Sequence, residues 1–210
     1  ELYTGINKAL KKYGGIILGG DCSKGNQKTI SITAFGIQGE LDLRRNACKP
    51  GDIILTTGIH GLSKLGFMIQ NKINFDNYNI SLSERLIRKS IEKFCRPEVY
   101  PNFLTNILKT RSNSKITKIG CTDSSDGLFQ AIQDLAIASN CKAIMNYEKI
   151  PKDKDWPKGD KWDGYYFFGG EDYELVFSLP KKWARNLSQL DKNINEIGFF
   201  TDGEPSIKFK

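Results

Sequence analysis

Three apolar runs of strand length each meet glycine and an acidic residue at one end, and no other feature of this chain constrains its fold as much. Residues 16–18 run into Gly19-Gly20-Asp21, and "KITKIGCT" runs into Asp123-Ser124-Ser125-Asp126-Gly127. Gly169-Gly170-Glu171-Asp172 stand directly ahead of the run through Leu175. A strand that ends at glycine lets the backbone approach a neighbour or a ligand closely. Each junction alone is compatible with a turn that presents a solvated acid. Three of them, all at ends of apolar strands, make a turn-only reading much weaker and place a set of carboxylates at strand tips.

The rest of the chain alternates between the two periods of regular structure. Leu2, Ile6, Ala9 and Leu10 share one helical face, and Gly14-Gly15 stop that helix. In "KTISITAFGI", Ile30, Ile32 and Ala34 alternate with Thr29, Ser31 and Thr33, the period-two pattern of a half-buried strand; residues 36–45 read as a connector. "GDIILTTG" predicts a strand and "GLSKLGFMIQ" the start of a helix. Leu82, Leu86, Ile87, Ile91 and Phe94 predict a helix over 82–95, with Ser81 or Ser83 as its N-cap. Pro97 and Pro101 break the chain before a helix over 102–109. A strand at 115–122 leads into a helix that carries Leu128, Ile132, Leu135 and Ala136, and "CKAIMNY" is the next strand. Residues 151–163, with two prolines and alternating charges, read as a surface loop; "YELVFSL", "KKWARNLSQL" and "NEIGFF" follow as strand, helix and strand. There is no internal repeat. The expected class is α+β, a mixed sheet with flanking helices.

Composition excludes several functions. At 210 residues a real core is expected. No apolar run approaches the ~18 residues of a membrane span and no segment resembles a signal peptide, so a cytoplasmic protein with no membrane partner is expected. The net charge of +7 favours anionic ligands, but no Lys/Arg run with interleaved aromatics points to nucleic acid. Five scattered cysteines, none spaced C-x-x-C, argue against disulfides or zinc and are expected to be reduced and mostly buried. His60, the only histidine, sits in a glycine-flanked turn and reads as structural, and no catalytic side chain is assigned beyond metal ligands. A phosphate-binding G-x-x-x-x-G-K-[ST] loop is absent. The chain opens with Glu1 inside a helical pattern, so it is expected to be a piece of something longer.

The stretch "CTDSSDGLFQ" lies between strand and helix, where free N–H groups and the positive helix end accept phosphate or carboxylate. Ser125 or Asp126 as a simple N-cap is the first reading for any one such residue. Two carboxylates three residues apart exceed what a cap requires, and Asp123 and Asp126 are spaced to share Mg²⁺, which takes one or two carboxylates plus waters and phosphates. Arg44-Arg45 offers a guanidinium fork for phosphate, or is simply surface.

Taken together, "GGD" (19–21), "RNACKPGDIILTTG" (45–58), "DSSDGL" (123–128) and "GGEDYEL" (169–175) strongly resemble the thiamine-monophosphate kinase family of the aminoimidazole ribonucleotide synthetase-like superfamily. The resemblance implies transfer of the γ-phosphate of ATP onto thiamine monophosphate, giving thiamine diphosphate, with several Mg²⁺ ions held by aspartates. By motif position it implies that Gly20, Asp21, Arg45 and Ser125 contact ATP. Asp21, Asp123 and Asp126 would hold metal, and Glu171, with Asp172 as a weaker neighbour, would contact thiamine monophosphate. It implies a domain boundary: residues 1–42 as the tail of an N-terminal nucleotide- and metal-binding αβ domain, residues 43–210 as the C-terminal αβ domain. A homodimer is implied for the whole protein. The family's N-terminal "GDDAA"-like acidic motif and its C-terminal substrate-packing aromatic residue have no match here, so these 210 residues alone are expected not to turn over. Another ATP-using member of the superfamily, or a non-catalytic nucleotide-binding remnant, are the alternative readings.

Overall fold

The computed structural model describes residues 2–73, 81–100 and 102–210. The chain divides into two compact units, Glu1–Ile37 and Gln38–Lys210.

In the first unit, helix α1 (Leu2–Tyr13) forms where its period indicates and ends as the Gly14 N–H bonds the Leu10 carbonyl at 2.8 Å. The strands expected at 16–18 and 28–37 are not formed. Ile16, Leu18, Ile30, Ile32, Phe35 and Ile37 are exposed, and residues 14–39 carry no strand or helix. Alternation makes a segment compatible with a sheet, but its backbone N–H and C=O groups need a neighbouring ladder. No strand pairs with this segment among the described residues.

Among the described residues, the second unit is built on seven strands in the order β1-β3-β5-β2-β6-β4-β7. These are β1 (Asp42–Arg44), β2 (Asp52–Thr57), β3 (Lys118–Asp123), β4 (Lys142–Met145), β5 (Leu175–Pro180), β6 (Ile194–Thr201) and β7 (Ser206–Phe209). The two outermost pairs, β1–β3 and β4–β7, are parallel and the four inner pairs antiparallel, so the sheet is mixed, as expected. Strands β1 and β7 have no counterpart in the sequence reading. Each is a short edge strand of three or four residues, too brief to display a period.

Successive residues of the inner strands feed opposite faces, as the pleat requires. Ile54, Val176 and Ile197 pack into one apolar cluster, with Leu62, Leu65, Leu86, Leu128 and Leu135. Leu55, Phe177 and Ile194 pack into the other, with Phe103, Ile107, Trp183 and Leu187. Helices α2 (Leu62–Gln70), α3 (Glu84–Cys95), α5 (Leu128–Ala138) and α6 (Asp160–Phe168) therefore cover one face. Helices α4 (Phe103–Lys109) and α7 (Lys181–Leu190) cover the other. Ser83 caps α3 by accepting the Leu86 N–H; of the two flanking prolines, Pro101 lies outside the described residues.

Residues 151–163 are not a plain surface loop. Trp156, Trp162 and Asp153 are buried and α6 begins at Asp160. Tryptophan burial outweighs the charged composition, and Asp153 is compensated by Arg85 and by Lys89 at 2.8 Å, both on α3. All five cysteines are free, with Cys48, Cys121 and Cys141 buried. No helix among the described residues is long and apolar enough to cross a membrane.

Candidate functional site

The DSSDG and GGEDYE motifs meet at one end of the sheet, at the C-terminal tip of β3 and the entrance to β5. Asp123 pairs with Leu175 as the last rung between these strands. Beyond it the two loops stay joined by main chain. Ser124 N–H donates to the Glu174 carbonyl at 2.9 Å, and Glu171 N–H donates to the Ser125 carbonyl at 2.8 Å. The Ser124 hydroxyl accepts the Glu174 N–H at 3.1 Å. A Cβ on Gly170 would overlap the Ser125 carbonyl, so glycine is what lets the loops close together.

Neither Ser125 nor Asp126 caps α5. The N-cap is Gly127, at φ 99°, and no side chain bonds the first turn. Gly127 N–H bonds the Ser124 carbonyl at 3.1 Å, closing a tight turn just ahead of the helix. The capping expectation is thus corrected. Among the described residues, the side chains of Asp123, Ser125, Asp126 and Glu171 make no hydrogen bond or ion pair, and Asp126 and Glu171 are exposed. Arg45 reaches the same end from a single 3₁₀ turn after β1: its Nε donates to Thr122 Oγ1 at 3.1 Å, one residue before Asp123. Its neighbour Arg44 turns back onto Asp42 at 2.5 Å.

The second loop alternates. Glu171 and Tyr173 are exposed, and both have left-handed backbone, at φ 71° and 52°. A non-glycine residue there costs about 1–3 kcal/mol and persists only where its surroundings enforce it. The enforcers are the buried residues between them. The Asp172 carboxylate accepts the N–H groups of Gly61 at 2.5 Å and Ser63 at 2.8 Å, fastening the loop to the N-terminus of α2. Burial pushes the Asp172 pKa up to about 6 although these two amides and Lys93 favour its charged form. The Glu174 carboxylate accepts Thr57 Oγ1 at 2.6 Å and Lys93 Nζ at 2.5 Å. Asp172 was expected as a weaker substrate contact beside Glu171; what its carboxylate binds here is backbone.

His60 is fully buried, with Nε2 at 2.7 Å from Thr56 Oγ1 and Nδ1 without a hydrogen-bond partner among the described residues. Burial and nearby Lys93 lower its pKa to about 3, so the ring is neutral, in line with a structural role. A cleft of about 440 Å³ beside α3 shares Glu174 with the loop cluster but none of the sequence-predicted site residues. Gly20 and Asp21 lie in the first unit, in an exposed segment without regular structure.

Among the described residues, no group of three or more His, Cys, Asp or Glu side chains stands ready to hold a metal ion. The chemistry of the donors nevertheless suits a hard cation. Asp123 and Asp126 carry uncommitted carboxylate oxygens at one turn, and Mg²⁺ needs only one or two of these beside phosphates and waters. Sequence reading missed Thr57, Lys93 and Glu174. Thr57 and Glu174 lay within quoted motifs, whereas Lys93 carries no sequence signal because its partner is remote in the chain.

Comparison with known proteins agrees with this architecture. The fold matches the crystal structure of a thiamine-monophosphate kinase from Stenotrophomonas maltophilia, with TM-score 0.63 and 21% identity over 80% of this chain and 52% of that one. It also matches AaThiL complexed with AMPPCP and TMP, with TM-score 0.61 and 24% identity over 79% of this chain and 49% of that one. In sequence, the chain is 42% identical over 186 residues to a Prochlorococcus marinus thiamine-monophosphate kinase, covering 88% of this chain and 55% of that protein. A Synechococcus elongatus thiamine-monophosphate kinase is 29% identical over 90% of this chain and 56% of its own length. No family model matches. The chain is similar to thiamine-monophosphate kinases along most of its own length, and it spans about half the length of the curated relatives it matches.

Proposed function

We propose that the protein to which this chain belongs transfers the γ-phosphate of ATP directly onto thiamine monophosphate. The observation that carries the reading is the joining of the two loops: Ser125 and Glu171 are tied through main chain, and the carboxylates of Asp123, Asp126 and Glu171 are left uncommitted around the tie. The relatives' names support the reaction, and the fold neighbour solved with AMPPCP and TMP supports the two substrates.

In this reading Asp123 and Asp126 would hold Mg²⁺, which would neutralise phosphate charge as it develops. Ser125 and Arg45 bind the nucleotide, and Glu171 meets the acceptor. The acceptor is itself a phosphate, so no side-chain base is needed, and the neutral, buried His60 fits that chemistry. What the protein supplies is position and charge balance. A cytoplasmic location and a homodimer of the complete protein accompany the proposal; free cysteines fit a reducing compartment.

The deciding experiment is Mg²⁺-dependent formation of thiamine diphosphate from ATP and thiamine monophosphate by the complete protein. The expected result is turnover that is lost in Asp126→Asn. ATP consumption without thiamine diphosphate would overturn the acceptor, and an unimpaired Asp126→Asn would overturn the metal assignment.

A further inference from the structure

Tyr173 is the exposed aromatic residue of the GGEDYE loop. Its backbone is left-handed, at φ 52°, a conformation bulky side chains rarely adopt. Its side chain is 41% exposed, so the strained backbone does not serve to bury the ring. Among the described residues the ring makes no aromatic contact and the hydroxyl no hydrogen bond. Two residues earlier Glu171 shares every one of these properties: positive φ, exposure and an uncommitted side chain. Between and after them, Asp172 and Glu174 are buried and fully engaged, by Gly61 and Ser63 and by Thr57 and Lys93. The loop thus has two anchored acids alternating with two presented side chains, a carboxylate and an aromatic ring.

That pair has a definite chemical complement. A carboxylate attracts a cation, and the face of a tyrosine ring attracts a flat or cationic group through its quadrupole and by stacking. A small molecule that answers both is a heteroaromatic cation. We infer that Tyr173 is a substrate-contacting residue whose ring packs on the positively charged heteroaromatic ring of the acceptor, while Glu171 supplies the counter-charge. This rests on the proposed reaction, whose acceptor carries such a ring, and adds to it the residue that reads the ring.

The test is equilibrium titration of the complete protein with thiamine monophosphate and, separately, with a non-hydrolysable ATP analogue, for wild type, Tyr173→Phe and Tyr173→Leu. Tyr173→Leu is expected to weaken thiamine monophosphate binding about fivefold to thirtyfold. Tyr173→Phe, which keeps the ring, should stay within about twofold. Affinity for the ATP analogue should be unchanged in both, which also reports an intact fold. Wild-type binding with an unaltered Tyr173→Leu would overturn this inference alone, as would equal losses in the Phe and Leu variants or a parallel loss of the ATP analogue. Failure of wild type to bind thiamine monophosphate at all would overturn the proposed reaction and this inference with it.

Discussion

The N–H of Glu171 donates to the carbonyl of Ser125 at 2.8 Å, and this bond joins two acidic motifs that lie far apart in the chain. Gly170, immediately before it, passes so close to the same carbonyl that a β-carbon would overlap it. Gly170→Ala is therefore expected to push the loops apart. A cost of about 1–3 kcal/mol in stability should accompany an activity loss on the order of 10²-fold, because small displacements of positioning groups are expensive in catalysis. Chemical denaturation together with turnover by the complete protein checks both numbers, and a stable variant of normal activity would count against the coupling.

Asp126→Asn removes charge from a side chain that makes no hydrogen bond or ion pair among the described residues, so its effect on stability should be small, within about 0.5 kcal/mol. Its effect on Mg²⁺-dependent turnover should be large, on the order of 10²-fold or more. A calorimetric melt beside a Mg²⁺ titration of the reaction separates the two. A variant as active as wild type, or one that melts far below it, would reverse the assignment from ligand handling to structure.

Lys93 and Glu174 form a largely buried ion pair at 2.5 Å, with side chains 16% and 9% exposed. Removing one partner leaves a buried charge uncompensated, so Lys93→Met is expected to cost about 3–5 kcal/mol. Adding Glu174→Gln should recover part of that loss. The double-mutant cycle, measured by denaturant unfolding, reads the interaction directly, and strict additivity of the two changes would show that the pair is not coupled.

Two buried groups bend the pH dependence of stability in opposite directions. Asp172 has its pKa raised to about 6, so the folded state holds this proton more tightly than the unfolded chain. Stability from this group is complete below about pH 4 and is lost as pH rises to about 6, an effect on the order of 2–3 kcal/mol. His60 has its pKa lowered to about 3, so the unfolded chain takes up the proton first. Its contribution is complete above about pH 6.5 and is lost as pH falls toward 3. Unfolding free energies across pH 3–8 for Asp172→Asn and His60→Gln should each remove one of the opposing slopes. An unchanged profile in either variant would refute the corresponding shift.

Most elements of the sheet unit were legible in the sequence, and for a definite reason. β2, β5 and β6 are inner strands whose alternate residues enter two separate cores, β3 sends Ile119 and Cys121 into one of them, and α5 shows its buried face as Leu128, Ile132, Leu135 and Ala136. Where burial sets the period, the period can be read. The segment 28–37 has the same alternation and forms no strand, because pairing depends on a partner and not on the pattern. The buried region around Trp156 and Trp162 was obscured for the opposite reason: charges that look solvating are neutralised by α3, as Asp153 is by Arg85 and Lys89.

The candidate site divides along the same line. By itself the sequence determined which residue types stand at the strand ends, since glycine and acid next to an apolar run are local properties of the chain. It could not determine which of those acids are committed. Asp172 and Glu174 are held by Gly61, Ser63, Thr57 and Lys93, while among the described residues Asp123, Asp126 and Glu171 stay uncommitted, and Gly127 rather than Ser125 or Asp126 begins α5. Only the tertiary structure decides this. A carboxylate's role depends on which distant donors the fold brings within hydrogen-bonding distance and on whether water can still reach it.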